Sequence, residues 1–171
     1  EPFPGRFFGA IPHMRECGVR VGQSAPGRAT LILPARPEWL GDPQRGMLHP
    51  GPLTMLADST CGAAVATSLD RVAPYATLDL RMDWLRPAGP ERDVSCTAVC
   101  FRVTRNIAFT RATLWQAGDE APIATALATF MLGTATKRRS AAPAQAAPAA
   151  AGATATAGGK AAGAAGGAGA A

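Results

Sequence analysis

One change of rhythm constrains this chain more than any other feature. An apolar repeat of three and four residues gives way, within a few positions, to a repeat of two. From Pro52 to Leu69 the apolar positions are Leu53, Leu56, Ala57, Cys61, Ala64, Val65 and Leu69. That spacing predicts a helix with one apolar stripe. His49-Pro50-Gly51-Pro52 is a suitable start for it, because the first amides of a helix have no intrahelical partner and proline is tolerated there. After Pro74, in TLDLRMDWLRP, Leu78, Leu80, Met82 and Trp84 alternate with Thr77, Asp79, Arg81 and Asp83. This predicts a half-buried strand that Pro87 stops.

The flanking segments add strands and no second long helix. VRVGQS (Val19–Ser24) and RATLILPA (Arg28–Ala35) are extended runs separated by Ala25-Pro26-Gly27, a hairpin signal. Pro37–Gly46 is rich in turn formers and reads as irregular, with one helical turn near Trp39. Downstream, Asp93–Val103 and Ile107–Gln116 are joined by Thr104-Arg105-Asn106, and Pro122–Leu132 is continuously apolar and small. One 18-residue helix with about six strands, the last four in a meander, predicts an α+β fold in which a sheet curls around the helix.

Composition divides the chain in two. Past Ser140 only Gln145 and Lys160 depart from Ala, Gly, Pro and Thr, so 137–171 reads as a basic junction and a disordered tail. Residues 1–136 remain as one domain, large enough for a core. Those residues hold thirteen Arg and no Lys against twelve acids, a balance of +1. Lys137, Arg138, Arg139 and Lys160 supply the other +4 of the +5 total. The folded part is nearly neutral, and nucleic acid is not an expected partner. Cys17, Cys61, Cys96 and Cys100 form no CxxC pair and no metal-type spacing with His13 or His49. They read as small buried hydrophobes in a reducing compartment. With no apolar run near 18 residues and no basic n-region before an apolar stretch, no membrane span is expected and a cytoplasmic location is.

The segment GMLHPGPLTMLADSTCGAAV, residues 46–65, places one carboxylate, Asp58, two turns into the helix among Leu, Ala, Cys and Val. Gly46-x-x-His49-x-Gly51, then LTMLAD ending at Asp58, then ATLDLRMDWLRPA resembles the hotdog-fold acyl-CoA thioesterases of the phenylacetate-degradation type. The family pattern is roughly G-x-x-H-G-G, an acid nine residues after the His, then T-V-D-L-x-x-x-Y-L-R-P. The resemblance runs from Cys17 to Leu132, and the order and spacing of the motifs are more specific than any one of them.

The resemblance implies a curved antiparallel sheet around one long helix, with sites between subunits of a homodimer or homotetramer. It implies hydrolysis of an aryl- or medium-chain acyl-CoA without a metal or other cofactor, CoA being part of the substrate. Asp58 matches the catalytic carboxylate, as general base or nucleophile, and Thr77 a hydroxyl that supports it. His49 and the residue after it match the turn that receives the thioester carbonyl. Exposed basic residues at strand ends usually hold the CoA phosphates, which makes Arg86, Arg105 and Asn106 the candidates here.

Two departures stand out. The glycine whose N–H normally meets the oxyanion is Pro50, which has none, and Pro52 is equally mute. That leaves Gly51 as the donor of the turn. Pro43 stands where an asparagine is frequent, with Asp42 or Gln44 as possible substitutes. A non-catalytic acyl-CoA-binding module therefore stays open as an alternative, and behind it a hotdog hydratase or dehydratase.

Overall fold

The structure, a computed structural model, describes residues 11–71 and 73–133. The elements run α1 (Pro12–Glu16), β1 (Arg20–Ala25), β2 (Arg28–Leu33), a 3-10 turn (Pro37–Trp39), β3 (Leu40–Asp42), β4 (Met47–Leu48) and α2 (Pro50–Ser68). The strands β5 (Tyr75–Trp84), β6 (Val94–Val103), β7 (Ile107–Gln116) and β8 (Ala124–Leu132) follow. The expected tail at 137–171 lies outside the described residues.

The helix α2 forms where the three-and-four repeat places it, starting two residues earlier, at Pro50, with His49 as its cap. Its burial exceeds a stripe. Leu53, Leu56 and Ala57 are buried as expected, and from Thr60 to Ala66 every residue is buried. A helix enclosed all round must be apolar all round. Here four of the enclosed helix residues are small, Gly62, Ala63, Ala64 and Ala66, so the sheet can come close. Thr60 satisfies its hydroxyl internally by donating to the Leu56 carbonyl at 2.6 Å.

Six strands form one sheet in the order β1-β2-β6-β7-β8-β5. All pairings are antiparallel, and α2 packs mainly on β2, β6 and β7. The expected four-strand meander is corrected in one respect. β6, β7 and β8 do follow one another, but β5 pairs with β8 along its length and becomes an edge. Period-two alternation fixes which face of a strand is buried and says nothing about its neighbour.

The alternation in β5 is also interrupted. A bulge between Thr77 and Asp79 leaves Leu78 53% exposed, and Trp84 is 45% exposed, while Leu80 and Met82 pack against the core. The segment read as irregular contains, besides its expected helical turn at Trp39, a two-stranded ribbon of β3 and β4. The 3-10 turn holds His49 by its backbone: the His49 N–H donates to the Trp39 carbonyl at 2.7 Å. A Cβ at Gly41 would sit 2.8 Å from the His49 Cα, so the chain here requires glycine. His13, for which the sequence offered no partner, lies on the short helix α1 with its ring near the Cys17 sulfur.

Candidate active site

Asp58 is half-buried on α2, and its Oδ1 accepts a hydrogen bond from Thr77 Oγ1 at 2.9 Å. The two residues come from different elements, and the bond fastens the carboxylate to the edge strand β5 beside its bulge. Tyr75 lies two residues before Thr77 on the same strand, its ring over Gly62, where a Cβ would stand 3.2 Å from Cε2. It also meets Phe130 edge-on at 5.8 Å between centroids. Burial, and secondarily the Asp58 charge, push the Tyr75 phenol up to about 12. It therefore stays neutral beside the carboxylate. Sequence reading passed over Tyr75, although the period of two puts it on the Thr77 side of the strand.

Cys61 follows Asp58 by one turn. Burial pushes its thiol up to about 11, opposed by a hydrogen bond with Thr110 and reinforced by the Asp58 charge. Burial raises Cys96 further still. Both thiols are protonated at neutral pH and make poor nucleophiles.

At the other end of the site, His49 Nδ1 accepts the Gly51 N–H at 2.9 Å. The one amide that the prolines leave in this turn is therefore used within the turn. Gln44 is exposed in the preceding turn, and its carboxamide has no hydrogen-bond partner among the described residues. Asp42 is occupied: it caps its own turn through the Gln44 and Arg45 amides and pairs with Arg45.

The three phosphate candidates are placed differently. Arg86 donates to Asp119 and to the Ala121 carbonyl, tying the loop after β5 to the loop after β7. Burial works against the Asp119 charge, but hydrogen bonds from Arg92 and Arg86 hold its carboxyl below the ordinary value. Gln116 completes this tie from a buried position, with its carboxamide on the Gly89 and Arg92 carbonyls. Arg105 and Asn106 lie exposed in the β6–β7 turn. No group of three His, Cys, Asp or Glu side chains among the described residues could hold a metal ion, and no described helix is long and apolar enough to cross a membrane.

Comparison with known proteins adds to this geometry. A family model described as "Thioesterase superfamily" matches residues 45–123. The medium/long-chain acyl-CoA thioesterase YigI of Escherichia coli is 27% identical over 136 residues, covering 72% of this chain and 86% of that protein. A crystal structure from Pseudomonas aeruginosa is 38% identical with a TM-score of 0.67, covering 74% of this chain and 94% of that one. A variant of the phenylacetic acid degradation protein PaaI from Thermus thermophilus is 31% identical with a TM-score of 0.62, covering 71% of this chain and 98% of its own. The chain belongs to the thioesterase superfamily and carries its hotdog fold.

Proposed function

We propose that this protein hydrolyses aryl- or medium-chain acyl-CoA in sites shared between two copies of the chain, each site joining Asp58 of one copy to the α2 start of the other. The observation that carries this is the Asp58–Thr77 bond at the open edge of the sheet. A half-buried carboxylate fixed by a hydroxyl is equipped to take a proton from water. As that water's oxygen bonds to the thioester carbon, the carbonyl electron pair moves onto oxygen. Collapse of this oxyanion breaks the C–S bond, and the departing thiolate recovers the proton from Asp58. The products are a carboxylic acid and CoA thiol. Direct attack by Asp58, through a mixed anhydride that water then cleaves, gives the same products. Neither route asks for a cofactor.

Helix geometry argues for two chains. A base and an oxyanion donor that serve one carbonyl each lie about 3 Å from the reacting atoms, hence about 6 Å from one another. The turn at the α2 start and Asp58 are seven or more residues apart along one helix, about 10 Å or more at 1.5 Å per residue. Edge strand β5 offers the means of bringing a second chain in. It is ten residues long, unpaired on its outer side among the described strands, and carries the exposed side chains of Leu78 and Trp84. The opposite edge, β1, is shorter, polar and bulged between Val21 and Ser24. Pairing β5 with its copy sets Asp58 beside the partner's helix.

Arg105 and Asn106 are the exposed groups we assign to the CoA phosphates, whereas Arg86 is engaged within the chain. Four free cysteines fit a reducing compartment, and the cytoplasm is the location we propose. One observation favours a second reading, an acyl-CoA binder without turnover: no amide of the Pro50–Pro52 turn is free. Thiol release from phenylacetyl-CoA and from C6 to C12 acyl-CoAs distinguishes the two. Steady turnover is expected. Saturable binding with no CoA released would establish the binder instead.

A further inference from the structure

We propose that the imidazole of His49, through its Nε2–H, is the oxyanion donor of this enzyme, in place of the backbone amide that Pro50 has removed. The inference rests on the hydrolase reading above and assigns the part of the site which that reading leaves without a donor. Hydrolysis generates a negative oxygen, and the turn at the α2 start has three residues with which to meet it. Pro50 and Pro52 carry no N–H, and the Gly51 N–H is spent on His49 Nδ1 at 2.9 Å. That bond has a second consequence. An Nδ1 that accepts carries no hydrogen, so the proton of the neutral ring resides on Nε2. The Nε2–H is the one N–H in the turn with no partner among the described residues, and the side chain is exposed.

The ring is also held in place. Gly51 lies directly beneath it: a Cβ there would stand 2.9 Å from Nδ1 and 3.3 Å from Cε1, so only glycine admits the ring in this position. The His49 backbone is fixed from the other side by its bond to the Trp39 carbonyl and by the close approach of Gly41. A donor with a set tautomer, a braced backbone and a ring tied to the Gly51 amide meets the developing charge with little reorganisation. Gly51 then acts as a positioning residue, and the helix start still contributes its positive dipole end.

The test separates this role from helix capping. Asn is a good N-cap and can still accept the Gly51 N–H, but it has no donor where Nε2–H stands. In the full chain, with the acyl-CoA that wild type turns over fastest, His49→Asn is expected to lose about 10²- to 10³-fold in kcat. Its KM should change little and its Tm should stay near wild type. Adding Pro50→Gly to His49→Asn restores an amide to the turn and is expected to regain about tenfold or more. A His49→Asn enzyme whose kcat falls by less than about tenfold overturns the proposal, because His49 then only caps the helix. A loss that Pro50→Gly does not recover overturns it too, because the carbonyl then is not bound at this turn. Wild-type protein that releases no CoA would overturn the hydrolase reading itself, a result distinct from either of these.

Discussion

Asp58→Asn is expected to lower kcat for acyl-CoA hydrolysis by about 10³-fold, and to leave the fold intact. The substitution removes one negative charge and one proton acceptor. It keeps an oxygen that can receive the Thr77 hydroxyl at the same place, so the tie between α2 and β5 survives. Because Asp58 is only half-buried, an amide there leaves no buried group unpaired. Thiol release and thermal melting, measured on the same preparations, check both halves. A variant that melts like wild type and turns over within about tenfold of it would remove Asp58 from the chemistry.

Phe130→Ala is expected to cost about 3–5 kcal/mol of stability. The Phe130 ring is 1% exposed, is paired across the β5–β8 ladder with Thr77, and meets Tyr75 edge-on. Truncation leaves a cavity directly behind the strand that carries Thr77. Against a total of about 5–15 kcal/mol this is a large fraction, and Tm should fall by about 10 °C or more. Phe130→Leu keeps most of the volume and should cost about 1–2 kcal/mol. Melting curves of the two variants settle the point. A near-wild-type Tm for Phe130→Ala would mean that β5 and β8 do not enclose the ring as described.

The path from sequence to site is uneven for physical reasons. The helix was legible because the spacing of Leu53, Leu56, Ala57 and Cys61 is a direct image of its period, and Asp58 stood out as the only charge on it. Strand β5 was legible by the same means with the other period. Its partner β8 was not, since strand pairing depends on packing between distant segments, and neither was the bulge at Thr77–Asp79. The β3–β4 ribbon was hidden because Gly41, Pro43 and Gly46 read as turn residues, which they also are, while the pairing takes only Leu40, Asp42, Met47 and Leu48. Pro50 was visible as a missing donor. That His49 Nδ1 would also occupy the Gly51 amide depends on one side-chain rotamer, which no sequence pattern records. Arg86 looked like a free cation until Asp119, thirty-three residues away, proved to face it.

In the proposed dimer, a working site takes its carboxylate from one chain and its helix start from another. Mixing two inactive variants tests this arrangement. Asp58→Asn lacks the base. Gly51→Leu crowds out the His49 ring and disables the turn, whichever atom there binds the carbonyl. Each is expected to be inactive alone. Co-expressed in equal amounts, half of the dimers are mixed, and each mixed dimer has one intact site of two, so about a quarter of wild-type turnover should return. If Asp58 and the turn instead act within one chain, every chain in the mixture carries a lesion, and no activity returns at any ratio.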